Sequence, residues 1–148
     1  MYEFMNKLIA ESRILFLDSG VIVRLLQMNP DSYSVVSSVL DYAYEKNITL
    51  LTSVVTLFEI SQKAYAVGDS ILARQYREFF EHSQNVRMCG VDGDVALKAA
   101  ELSKNNNLSE SDAIRLATAY CNGADCIFTE NSSWKDVTDI PVVLLDEV

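Results

Sequence analysis

Histidine is nearly absent from this chain: His82 is the only one among 148 residues. Cysteine is scarce too. Cys89, Cys121 and Cys126 are odd in number and show no Cys-x-x-Cys spacing. One histidine and three scattered cysteines exclude a structural zinc site. Three buried, reduced thiols of a cytoplasmic protein are the expectation instead. His82 lies in a polar stretch, Glu81-His82-Ser83-Gln84, and reads as plain surface. Basic residues are few as well, 12 Lys and Arg against 21 Asp and Glu, for a net charge of −9. Tight non-specific binding to nucleic acid needs Lys and Arg to neutralise phosphates, so this balance does not favour it. It suits a basic partner, or a cluster of carboxylates that attracts cations. No apolar run approaches the ~20 residues of a membrane span, and no membrane contact is expected. Met1–Ser12 carries Glu3 and Glu11 and ends in no small-residue cleavage site, so it does not read as a signal peptide. With 5 Gly and 2 Pro there is little room for linkers or disorder. No GxxxxGK[ST] phosphate loop, GxGxxG fingerprint or GxSxG elbow is present.

What the chain does have is apolar residues, 49% of the total, enough for one domain over residues 1–148. They come in short runs. Ile14–Leu17 is four apolar residues stopped by Asp18-Ser19-Gly20, the pattern of a strand buried on both faces. Val21, Ile22, Leu25 and Leu26 then fit one face of a helix reaching about Met28. Asn29–Ser32 reads as a turn, followed by a helix that closes at Asn47. A second strand is expected over Ile48–Leu51, with Thr52-Ser53 as N-caps of a helix to about Val67, which Gly68 ends. Further helices follow at 70–83, 93–103 and 108–122. Strands are expected at 86–89, 125–129 and 142–145. Residues 1–12 form an N-terminal extension with helical spacing at Phe4, Met5, Leu8 and Ile9. Short strands alternating with helices define the α/β class, a central, mostly parallel sheet of four or five strands with helices on both faces.

Polar chemistry falls at one edge of such a sheet, where strands end and helices start. Asp18 ends the first strand. Glu59 lies two turns into the helix after the second, within the apolar VVTLFEI. Asp112 is in the first turn of its helix, and Glu130-Asn131 follow the strand through Phe128-Thr129. Each has a structural alternative. Asp18 can cap its helix, and Glu59 can pair with Lys63 at i,i+4. Asp112 can close a capping box with Ser109 or pair with Arg115, and Asn131 can be a turn residue. Gathered together, carboxylates repel and take up protons unless a cation intervenes. Hard ions such as Mg²⁺ and Mn²⁺ take such oxygen ligands. Three or four acids without a histidine therefore point to metal-dependent phosphodiester hydrolysis.

The segments FLDSGVIVRLL (16–26), LTSVVTLFEIS (51–61) and LSESDAIRLATAYCNGADCIFTEN (108–131), with Trp134, resemble the PIN-domain ribonucleases, in particular the VapC-like toxins of toxin–antitoxin pairs. The resemblance runs from about Ile14 to Leu145. It implies a PIN-like fold, a Mg²⁺- or Mn²⁺-dependent endoribonuclease and a cytoplasmic toxin. It places the family's acidic positions at Asp18, Glu59, Asp112 and Asn131, with Ser19 and Thr129 in support. Arg24, Lys63 and Arg115 are then candidates for RNA-phosphate contacts. Two departures stand out: Gly20, where many members have Asn or Ser, and Asn131 in the fourth acidic position with Glu130 beside it. Strand alternation assigns Asn131 to the metal side; Glu130, if the strand has ended, is the competing metal ligand. The implied partners are RNA, a second copy of the chain, and an antitoxin whose basic side chain, an Arg, reaches the acids. The alternatives are a non-catalytic PIN-like RNA- or protein-binding module, and a small phosphatase or phospho-receiver.

Overall fold

A computed structural model describes residues 5–27, 32–105 and 108–148. Five strands form one all-parallel sheet: β1 (Ile14–Leu17), β2 (Thr49–Ser53), β3 (Val86–Cys89), β4 (Cys126–Thr129) and β5 (Val142–Leu144). Their spatial order is β3-β2-β1-β4-β5. Among the described residues, seven α-helices connect and cover them: α1 (Lys7–Ala10), α2 (Ser19–Leu26), α3 (Tyr33–Glu45), α4 (Val54–Ala66), α5 (Ser70–His82), α6 (Gly93–Asn105) and α7 (Glu110–Cys121). Parallel neighbours need long crossovers; α-helices supply them except between β4 and β5, where the link carries a 3-10 turn over Ser132–Asp136.

Alternation along each strand builds two cores. Leu15 and Leu17 of β1, Leu50 of β2 and Cys126 and Phe128 of β4 point to one face, against helices that include α3, α4 and α5. Phe16, Leu51 and Ile127 point to the other, against α6, α7 and the fully buried Trp134. The alternating clusters are why these strands read as continuous apolar runs.

Several boundaries differ from the sequence expectation. β2 runs on through Thr52 and Ser53, because both pair with β3, Thr52 with Met88 and Ser53 with Cys89. Ser53 alone then caps α4, its side chain accepting the Val55 N–H at 3.1 Å. α7 starts at Glu110 rather than Leu108, since Ser109 is its N-cap. The expected N-terminal helix is seen over Lys7–Ala10; residues 1–4 lie outside the described residues, as do Met28 and Asn29–Asp31 of the expected turn. Gly68 and Gly123 end their helices at φ 76° and 75°, a region that costs other residues energy. The thiols correct one expectation. All three are free, but only Cys126 is buried, and Cys121 is exposed on the last turn of α7.

The chain leaves β1 for β2 on one side and later returns to β4 on the other. The carboxyl ends of β1 and β4 therefore flank the point where strand order reverses, the place where open α/β sheets bind ligands.

Candidate active site

Asp18 follows β1 directly and is the N-cap of α2. Its backbone N–H donates to the Phe128 carbonyl at 3.0 Å, which fixes it beside the end of β4. One carboxylate oxygen, Oδ1, accepts the Ser19 N–H at 2.8 Å. The other, Oδ2, accepts the Thr129 hydroxyl at 2.7 Å. The capping role and the site role thus coexist. Asp18 is only 6% exposed, and burial, which disfavours the charged form, pushes its carboxyl above the usual range. Arg115 and the bonds from Thr129 and Ser19 pull the other way, and Asp112 adds to the rise.

Arg115 of α7 gathers the acids. Its guanidinium donates through Nη1 to Glu59 Oε1 at 2.8 Å and through Nη2 to Asp112 Oδ1. Its Nε lies 3.4 Å from Asp18 Oδ1, an ion pair without a hydrogen bond. Burial opposes the charge on Arg115, but the three carboxylates outweigh it and raise its pKa. Glu59 therefore pairs across the site rather than with Lys63, which stands exposed at the cleft. The Asp112 backbone N–H donates the capping bond to Ser109 Oγ at 3.2 Å, and this leaves the Asp112 carboxylate for Arg115.

Glu130 and Asn131 lie past the end of β4, so strand alternation no longer governs where they point. Asn131 caps a 3-10 turn over Ser132–Asp136, its side-chain oxygen accepting from the Ser133 N–H and hydroxyl at 3.1 and 2.6 Å. Glu130 folds back over Gly20 and accepts from Arg24 Nε at 2.5 Å. A Cβ on Gly20 would stand 2.3 Å from Glu130 Oε1, so the glycine makes this approach possible. Asp18, Ser19, Arg24, Lys63, Asp112, Arg115, Glu130 and Asn131 all line one cleft of about 430 Å³.

The three acids around Arg115 offer only oxygen, the donor that a hard divalent ion prefers. Three carboxylates against one guanidinium leave two negative charges uncompensated. In kind and in charge the residues fit Mg²⁺ or Mn²⁺. Their spacing follows Arg115: among the described residues, no three His, Cys, Asp or Glu side chains stand close enough to hold one ion. The pairing of Asp112 with Arg115 is as local spacing allows, but its reach to Asp18 and Glu59 is not legible in the sequence. A further signal is that Arg115 is a lone cation in the apolar helix face Ala113, Leu116, Ala117.

A parallel α/β domain with acids converging at its switch point defines the class. The chain matches the family model of the PIN domain over residues 15–140 and belongs to that family. Solved toxin–antitoxin proteins share the fold. The VapBC2 complex from Rickettsia felis bound to a promoter DNA fragment superposes with TM-score 0.71 at 18% identity, covering 88% of this chain and 98% of that one. FitAcB from Neisseria gonorrhoeae gives 0.68 at 19% identity, covering 90% and 99%. The Mycobacterium tuberculosis toxin VapC20, described as cleaving the sarcin–ricin loop, gives 0.66 at 16%, covering 86% and 98%. No curated protein matches the chain in sequence.

Proposed function

We propose that the protein is a divalent-metal-dependent endoribonuclease acting in the cytoplasm as the toxin of a toxin–antitoxin pair. The observation that carries this reading is the convergence of Asp18, Glu59 and Asp112, from three separate elements, on the single guanidinium of Arg115 at the switch-point edge. Family membership and an RNA-cleaving structural relative support it. Asp18, Glu59 and Asp112 are the residues that would hold Mg²⁺ or Mn²⁺, with Glu130 or Asn131 completing the shell. When bound, such an ion activates water and shields the charge of a phosphodiester. Thr129 holds the Asp18 carboxylate in one orientation, and the Ser19 N–H holds its other oxygen. Arg24 and Lys63 line the cleft and offer cations to the RNA backbone.

A protein partner and a second copy of the chain complete the proposal. The helix α4 carries an exposed apolar strip, Val54, Phe58 and Tyr65, beside the half-buried Leu57, with Phe58 63% and Tyr65 64% exposed. Apolar surface of this kind supports an interaction face. The net charge of −9 suits a basic partner, and an antitoxin arginine can pair with carboxylates bidentately.

Cleavage of single-stranded or loop RNA with metal titration tests the reading. Turnover should require Mg²⁺ or Mn²⁺ and fall by orders of magnitude in Asp18→Asn, since the metal supplies several kcal/mol of charge stabilisation. Asp18→Asn cleaving as fast as wild type in equally pure preparations would refute it.

A further inference from the structure

Arg115 is 6% exposed, and its guanidinium faces an acid from the N-cap of α2, an acid of α4 and an acid of α7. An arginine does not lose its proton in a protein, so this is a fixed positive charge. The oxygens it addresses are Asp18 Oδ1, Glu59 Oε1 and Asp112 Oδ1. At Asp18 each oxygen carries one hydrogen bond, Oδ2 from the buried Thr129 hydroxyl and Oδ1 from the Ser19 N–H, and Oδ1 is the atom that Arg115 faces. The fit of Arg115 is also incomplete. Its Nε is buried without a hydrogen bond. A group held by strong ion pairs at two nitrogens and poorly at the third is suited to yield its place.

We propose that Arg115 is the resident counter-ion of the acidic cleft. It holds the three carboxylates together in the metal-free protein and competes with a divalent ion for the same oxygens. The inference rests on the metal-dependent reading given under Proposed function. It separates two effects that a merely structural arginine would link. Removing Arg115 lowers the stability of the metal-free protein, because three carboxylates are left to repel one another. The same change strengthens metal binding, because the competitor is gone. An arginine that only braced the fold would lower stability and leave metal affinity unchanged or weaker.

The test is calorimetric Mn²⁺ titration of wild type, Arg115→Gln, Arg115→Lys and Asp18→Asn at fixed pH and ionic strength. Urea unfolding of each form in chelator accompanies it. Arg115→Gln should bind Mn²⁺ about tenfold more tightly than wild type or better, about 1.4 kcal/mol, while its urea midpoint in chelator falls. Arg115→Lys keeps the charge but not the planar fork, and should bind about threefold more tightly. If Arg115→Gln fails to fold, the lysine variant decides: tighter binding supports the inference and equal or weaker binding overturns it. Binding that Asp18→Asn abolishes but Arg115→Gln leaves unchanged overturns the inference alone. Mn²⁺ binding that Asp18→Asn leaves intact, or no binding by any form, overturns the metal reading and the inference with it.

Discussion

Replacing Gly20 by alanine sets two effects of similar size against each other. Gly20 is the second residue of α2. Alanine there gains helix propensity, at most about 0.8–1.0 kcal/mol in a helix interior and less in a first turn. The new Cβ would stand 2.3, 2.6 and 2.9 Å from Oε1, Cδ and Cγ of Glu130. These atoms are the far end of a flexible side chain, so Glu130 moves away at little cost in strain. What it loses is the ion pair with Arg24. Those side chains are 34% and 40% exposed, so the pair is screened by water and contributes only about 0.2–1 kcal/mol. Gly20→Ala should therefore be close to neutral in the wild-type background. In a Glu130→Ala background there is nothing to displace, and the same change should stabilise by about 0.5 kcal/mol or more. The double-mutant cycle isolates that coupling. Urea unfolding of the four proteins measures it, and the Arg24 Nε–H resonance reports whether the pair has opened. An equal gain from alanine in both backgrounds would refute the account of Gly20 as the space Glu130 occupies.

Two more outcomes follow from single contacts. Thr129→Val removes the hydroxyl that donates to the buried Asp18 carboxylate and accepts the Asn131 N–H at 3.0 Å; urea unfolding should show a loss of about 1.5–3 kcal/mol, as for hydrogen bonds to charged groups. Cys126 has its thiol pushed up to about 11 by burial, so at pH 8 it holds its proton, and the thiolate that reacts is scarce; iodoacetamide labelling read by mass spectrometry should mark the exposed Cys121 first and Cys126 only on unfolding, and early labelling of Cys126 would contradict its burial.

The sequence by itself determined the local structure and the chemical character of the site. Ile14–Leu17 is legible as a strand because four apolar residues end abruptly at Asp18, and a buried parallel strand needs apolar side chains on both faces. Ser109 before the Glu110–Asp112 turn, and Gly68 and Gly123 after their helices, mark ends through bonds that reach only a few residues. Asp18, Glu59 and Asp112 could be singled out because acids are costly in apolar stretches at strand ends and helix starts. Tertiary structure decided what those acids face. Arg115 lies 56 residues from Glu59 in the chain, and only packing α4 against α7 brings them to 2.8 Å. At the level of sequence Arg115 was one of three cations available for phosphate; in the fold it is buried among carboxylates. The extent of β2 was likewise set from outside, by the pairing of Thr52 and Ser53 with β3. The places of Glu130 and Asn131 depend on where β4 stops, and Glu130 reaches Arg24 only across the space left by Gly20. Periodicity and capping act within a few residues. The partner of a charge is chosen by whichever elements the sheet order brings together, and no local pattern encodes that.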